Sequence, residues 1–286
     1  MNKNELKKKI IIGSANFDKG YGVVPAKMSQ IEINKILNLS KKNNIYKIDT
    51  ADAYLKNKNI FKNIDKKFKF ITKIRPDYKW ISLDYCEQKI ENHFQKFYGK
   101  KIETLLFHDI KILFSKKGLQ IFRNLESLKK KYFKKIGVSI YNPNCLNYLT
   151  LNYNLDVVQC PYNILDQRII RSGWFAKLKD KKIETHIRSV FLQGLLVNKF
   201  AYKKQYFKKW EVYFFEWFKS LKKNNISPID YCLNDLLNYE FDRIIIGINS
   251  YSHLKEILRF KTIKNKKKVL KFKINDLKLI DPRNWK

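Results

Sequence analysis

The chain has 286 residues and carries 60 Lys and Arg against 26 Asp and Glu, a formal net charge of +34 at neutral pH. That length can bury a substantial core, in one large domain or two small ones. With 44% hydrophobic and 15% aromatic residues but only 9 Gly and 6 Pro, the composition excludes collagen, a Pro/Gly linker and a mostly disordered chain.

The basic balance raises a nucleic-acid reading, which has a plainer competitor. Arg supplies only eight of the 60 cations, whereas base readout and bidentate phosphate clamps favour Arg. Lys, Asn, Ile, Tyr and Phe are all abundant, and A/T-rich codons encode every one of them. The lysines are scattered, apart from patches at residues 7–9 and 264–268. No specific nucleic-acid partner is expected, although weak attraction to polyanions follows from the field alone. The basic start runs only into Ile10, Ile11 and Ile12, without a signal-peptide core. No apolar stretch approaches the roughly 20 residues that span a bilayer. Cys86, Cys145, Cys160 and Cys232 lie far apart with no CxxC pair, which reads as reduced thiols. The expected location is the cytoplasm, with no membrane attachment.

In chain order, apolar and β-branched runs predict strands at residues 10–14, 46–49, 68–73, 104–108, 135–139, 156–159, 184–189 and 243–247. Helical patterns fill the gaps. Ser29 to Glu32 reads as a capping box ahead of Ile33, Ile36 and Leu37. Leu83, Cys86, Ile90, Phe94 and Phe97 form an apolar stripe ended by Gly99. Phe122, Leu125 and Leu128 repeat that face after Gly118. Asn142-Pro143 opens a further helix before Leu146 and Leu149. Residues 198–221 are rich in aromatics and Lys and read as an insertion or lid over one end of the domain. Eight βα units in a single domain of residues 1–286 predict an α/β fold, a (β/α)8 TIM barrel. An open doubly wound sheet is the alternative, without a Gly-x-Gly-x-x-Gly after the first strand to support it.

Chemistry in such a barrel sits at the carboxyl ends of the strands. Those ends carry Asp49, Lys73, His108, Ser139, Gln159 and the pair Arg188-Ser189 in succession. Each has a bland reading alone: Asp49 as a helix cap, Lys73 as a surface lysine, His108 as a loop histidine, Gln159 as a backbone partner. Six successive functional ends on one face are harder to assign to chance. A cation such as Lys73 lowers the pKa of a neighbouring phenol, and Tyr54 follows Asp49 into the loop above the same end. Such a tyrosine can donate a proton to a carbonyl oxygen, with His108 hydrogen-bonding the same oxygen.

Other constellations are weaker. His93, His108, His186 and His253 show no metal-ligand spacing, so no metal is expected. No Gly-x-Ser-x-Gly elbow or Walker-type phosphate loop is present. Phe207, Trp210, Phe214, Phe215, Trp217 and Phe218 read as core or lid rather than as a base-stacking platform. Trp174 reads as structural.

The chain resembles the aldo-keto reductases. The likeness is carried by Ile48-Asp-Thr-Ala-Asp-Ala-Tyr54, Ile71-Thr-Lys73, Phe107-His-Asp109, Gly137-Val-Ser139, Val158-Gln159, Pro161-Tyr-Asn-Ile-Leu-Asp-Gln-Arg168 and Ile246-Gly-Ile-Asn-Ser250. The motifs occur in order over about residues 11–258. The resemblance implies a barrel that binds a nicotinamide cofactor, NADPH with NADH as the alternative, and reduces an aldehyde or ketone, sugar-derived in some members. By that likeness Asp49, Tyr54, Lys73 and His108 match the catalytic tetrad, with Tyr54 as the acid. Ser139 and Gln159 match positions that hold the nicotinamide carboxamide, and Arg188 and Ser189 fall beside the ring. Gly247, Ser250 and Glu256 fall where the family grips the adenosine and its phosphates.

The chain also departs from the pattern. Leu55-Lys56-Asn57-Lys58 replaces the usual Gly and Ser-Glu after the Tyr, and Ile140 replaces a frequent Asn. Arg188 stands where many members place an aromatic residue against the nicotinamide. Asn249 replaces a frequent basic residue and Ile257 a frequent Asn, with Lys255 near enough in sequence to compensate. The other function class left open is a catalytically silent nucleotide-binding or regulatory protein on the same barrel. A third is a basic accessory protein on nucleic acid or membrane.

Overall fold

A computed structural model describes residues 1–18, 20, 22–23, 28–54, 58–263 and 276–285. Residues 55–57 of the altered loop and the basic patch at 264–268 lie outside them. The strands are β1 (Ile10–Gly13), β2 (Lys47–Asp49), β3 (Lys69–Ile74), β4 (Ile102–Phe107), β5 (Phe133–Ser139), β6 (Val157–Pro161), β7 (Glu184–Arg188) and β8 (Arg243–Gly247). They pair in parallel in sequence order, and β8 closes on β1. Closure removes the open-sheet alternative. Every strand expected from the sequence is present, with its ends within two residues of the expectation.

Helices surround the barrel: α1 (Lys3–Lys9), α2 (Ala15–Asp18), α3 (Gln30–Lys42), α4 (Leu83–Gln95), α5 (Gly118–Ser127), α6 (Leu146–Asn152), α7 (Arg168–Arg171), α8 (Trp174–Asp180), α9 (Glu211–Lys223), α10 (Pro228–Leu236), α11 (Tyr251–Leu258) and α12 (Leu277–Ile280). Their local causes match the sequence reading in most places. Ser82 caps α4, which buries Cys86 and Ile90, and Gly99 follows at φ +69°. Leu83, at the head of that stripe, is exposed instead. Ser29 caps α3 through the Glu32 N–H, but only half of the expected box forms. The Glu32 carboxylate accepts from the Tyr251 N–H at 2.6 Å and so caps α11. A free N–H at a helix start outcompetes the local return bond, because it otherwise has no intrahelical partner.

Two apolar regions hold the fold. The larger lies between the strands and helices, and the smaller is a plug of Ile11, Ile71, Leu106, Val157 and Ile245. Side chains alternate along a strand, so two residues on from each plug member the same face carries the next layer. That layer reads Gly13, Lys73, His108, Gln159 and Gly247. The apolar plug therefore floors a polar layer at the carboxyl end. Gly137 lets β5 and β6 approach: a Cβ there would fall 1.9 Å from the Val157 carbonyl oxygen, far inside contact distance.

Residues 198–221 form short 3-10 turns, Ala201–Lys203 and Gln205–Trp210, followed by most of α9. Phe207, Trp210, Phe214 and Trp217 are buried there, while Phe215 is exposed. Trp174 is buried at the start of α8. All four cysteines are free thiols. Among the described residues, no helix is long and apolar enough to cross a membrane and no cluster of metal-ligating side chains forms.

Candidate active site

The strands' carboxyl ends open into a cavity of about 610 Å³. Asp49, Tyr54, Lys73 and His108 line it together with Ser139, Arg188, Ser189, Gly247 and Glu256. Thus nine of the eleven residues singled out above meet in one space. Gln159 stands directly behind it, fully buried, and Ser250 lies beside it as the N-cap of α11.

At the floor, Lys73 Nζ lies 2.5 Å from Asp49 Oδ1 and donates to the Thr50 carbonyl at 3.0 Å. Gln159 Nε2 donates to Asp49 Oδ2 at 2.8 Å, so both carboxylate oxygens are held. Burial pushes the Lys73 pKa down, and the charge and hydrogen bond of Asp49 push back. Satisfied lone pairs of this kind are what make a buried ion pair tolerable.

Tyr54 enters on a short 3-10 turn, Asp52–Tyr54, directly after β2. His93 of α4 and Lys96, its C-cap residue, bind Asp52 at the start of that turn, and Thr72 Oγ1 lies 2.9 Å from His93 Nε2. The Tyr54 and His108 rings meet edge to face, with centroids 6.0 Å apart and planes at 80°. Lys73 Nζ lies 5.9 Å from the Tyr54 ring centroid. Burial, helped by the charges of Lys73, Arg75 and Arg188, pushes the His108 pKa down to about 3. Its imidazole is therefore neutral at physiological pH. This arrangement sets a phenol and a neutral imidazole side by side in the cavity, next to the buried Lys73–Asp49 pair.

The upper walls suit a large polar ligand. Gln159 Oε1 is buried and has no hydrogen-bond partner among the described residues, leaving an acceptor ready for an amide N–H. Ser139 carries a hydroxyl into the same end of the cavity. At Gly247 a Cβ would meet nothing within 4 Å and would project into open space. Glu256 accepts from the Ser227 hydroxyl at 3.2 Å. These features fit a nicotinamide carboxamide near β5 and β6 and a nucleotide tail near β8.

Several backbone and side-chain contacts around the cavity mouth escaped the sequence reading. Ser189, Leu192 and Gln193 take positive φ of 61°, 46° and 53°, which bends the chain after β7 around the cavity mouth. The Val23 N–H donates to the Gln193 carbonyl at 3.2 Å, joining this bend to the loop after β1. Asn16 Nδ2 donates to Asn249 Oδ1 at 2.5 Å. Tyr141 carries the guanidinium carbons of Arg188 and Arg283 at 4.2 Å and 3.9 Å from its ring centroid. The alternation signal that marks strand residues does not reach loop contacts of this kind.

The fold is similar to that of an aldo-keto reductase from Bacillus halodurans in its holo form, with a TM-score of 0.71 at 16% identity over 93% of this chain and 94% of that one. It is also similar to a glycerol dehydrogenase from Gluconobacter oxydans, with a TM-score of 0.64 at 15% identity over 90% of this chain and 88% of that one. No curated protein matches the sequence at a significant level. The pattern of the aldo/keto reductase family matches residues 9–271. The chain belongs to the aldo/keto reductase family and is, by family, an NAD(P)H-dependent oxidoreductase acting on carbonyls.

Proposed function

We propose that this cavity reduces an aldehyde or ketone, with NADPH as the first cofactor to test and Tyr54 as the proton donor. The observation that carries this reading is the buried Asp49–Lys73 pair beside Tyr54 and His108 on one cavity floor. When bound, the nicotinamide supplies the hydride. The chain supplies the proton, the orientation and the exclusion of water.

In this reading Tyr54 donates its phenolic proton to the carbonyl oxygen. Neutral His108 donates a hydrogen bond to the same oxygen and so orients it as charge develops there. Lys73 holds positive charge beside the phenol, and Asp49 positions Lys73. Gln159 is fixed by its bond to Asp49, so its free Oε1 and the Ser139 hydroxyl are the groups to hold a carboxamide. Arg188 and Ser189 would lie beside the ring. Gly247, Ser250 and Glu256 would hold the adenosine and phosphate end.

The test is titration of the protein with NADPH and NADH, followed by tryptophan fluorescence. A panel of aldehydes and ketones that includes sugar-derived carbonyls comes next. Tight nucleotide binding with carbonyl turnover supports the proposal. Binding without turnover on any member of the panel supports a silent nucleotide-binding protein, and absence of nucleotide binding overturns both.

A further inference from the structure

Arg188 brings a positive charge into the cavity that no described carboxylate neutralises. Its Nη2 donates to the Ile140 carbonyl at 3.0 Å, its Nη1 lies 3.5 Å from Ser189 Oγ, and its guanidinium rests on the Tyr141 ring. The side chain is half-buried and lines the same wall as the reacting groups. Its charge helps to lower the pKa of both Lys73 and His108, so its field reaches the cavity floor.

The surrounding charges leave that field standing. Asp49 and Lys73 compensate each other at 2.5 Å. His108 is neutral. Arg283, the other guanidinium on Tyr141, is matched by Asp281 at 2.6 Å. Arg75 and Asp109 are both exposed, and their charges act on His108 in opposite senses. Lys199 and Glu256 also line the cavity, one of each sign. Among the described residues, the unmatched charge beside the reacting groups is the guanidinium of Arg188.

A nicotinamide ring is neutral when reduced and positively charged when oxidised. In the hydride-transfer reading, on which this inference rests, the ring lies beside a carbonyl held by Tyr54 and His108. It is then inside the field that Arg188 exerts on those groups. We infer that Arg188 makes the cavity discriminate between the redox states of its cofactor, holding the reduced form more tightly than the oxidised form. Two unit charges about 6–8 Å apart, at an effective dielectric constant near 20, correspond to a preference of roughly thirtyfold to hundredfold. The penalty falls on the oxidised complex, so spent cofactor leaves faster than from an uncharged pocket.

The test is equilibrium binding, independent of turnover. Dissociation constants for NADPH, NADP+, NADH and NAD+ are measured by calorimetry on the parent protein, Arg188→Gln and Arg188→Lys. The reduced forms are expected to bind the parent at least about tenfold tighter than their oxidised partners. Arg188→Gln should bring the two close to parity, mainly by tighter binding of the oxidised forms, while Arg188→Lys should keep the preference. Equal binding of both states by the parent overturns the inference alone, as does a preference that survives in Arg188→Gln. An unchanged preference, joined to a raised KM only for carbonyls bearing carboxylate or phosphate, overturns it by assigning Arg188 to a substrate anion. Binding of none of the four nucleotides overturns the hydride-transfer reading itself, and the inference with it.

Discussion

Lys73 and Asp49 form their ion pair with side chains only 3% and 7% exposed. Desolvating two charges is costly, and removing one partner strands the other in a site that water cannot reach. Lys73→Met and Asp49→Asn should therefore each cost about 3–5 kcal/mol of stability, read by urea denaturation. Both changes should also depress carbonyl turnover, because the cation beside Tyr54 is lost or loses its anchor. A variant that unfolds like the parent would show that the pair is solvated.

His108 bears on pH in two ways. Its folded pKa is about 3 against an ordinary 6.5, with burial the leading cause. Between those values the unfolded chain binds a proton that the folded chain refuses. The stability tied to His108 is complete above about pH 6.5 and is lost as pH falls towards 3. Half-buried His253, its pKa pushed down to about 4 by desolvation, adds to the same slope. His108→Gln should flatten part of the decline in melting temperature on acidification. The turnover profile should show no limb from His108 between pH 5 and 8. A step near pH 6.5 that disappears in His108→Gln would contradict the neutral-imidazole assignment.

Much of the site was legible because a barrel strand alternates strictly. Lys73, His108 and Gln159 each lie two residues beyond a plug residue, so the polar layer follows from the apolar one. What alternation cannot carry is pairing across the barrel. Gln159 binds Asp49 across 110 residues of sequence, a bond that no local pattern announces. Glu32 was read as the partner of Ser29, three residues away, yet it caps a helix start 219 residues on. The bend at Ser189, Leu192 and Gln193 was also hidden, because residues with side chains adopt positive φ where sequence rules look for glycine.

That misplaced Glu32 affects the choice of cofactor. Its carboxylate sits at the start of α11, beside Ser250, where the proposal puts the phosphate end of the nucleotide. Asn249 supplies no positive charge there. NADPH should therefore be favoured over NADH only modestly, and its affinity should fall as salt screens the basic surface. Glu32→Gln keeps an acceptor for the Tyr251 N–H while removing the negative charge. It should shift the preference towards NADPH by a few-fold, on the order of 0.3–1 kcal/mol for a charge at a helix terminus. Fluorescence titration of both nucleotides reads the ratio. An unchanged ratio would place the phosphate away from α11.

The sharpest expectation concerns the Tyr54 hydroxyl. Tyr54→Phe keeps the ring that packs edge to face on His108 at 6.0 Å, so the fold and the cavity should persist. The group removed is the proposed acid, and general acid catalysis contributes typically about 10²–10⁴-fold. Carbonyl reduction should fall by that range. The loss should appear mainly in kcat, because proton donation strengthens only as charge develops on the oxygen. Nucleotide affinity should stay within about threefold of the parent, since the cofactor contacts proposed at Ser139, Gln159 and Gly247 are untouched. A control comes from Tyr148, which is 41% exposed and stacks on Phe114 away from the cavity. Tyr148→Phe should leave turnover unchanged. Chemistry must limit the parent rate for the comparison to hold, which a deuterium isotope effect from the labelled reduced cofactor establishes. If Tyr54→Phe then reduces the best substrate at the parental rate, the proton comes from another group. Neutral His108, which packs against Tyr54 in the same cavity, is the first to examine.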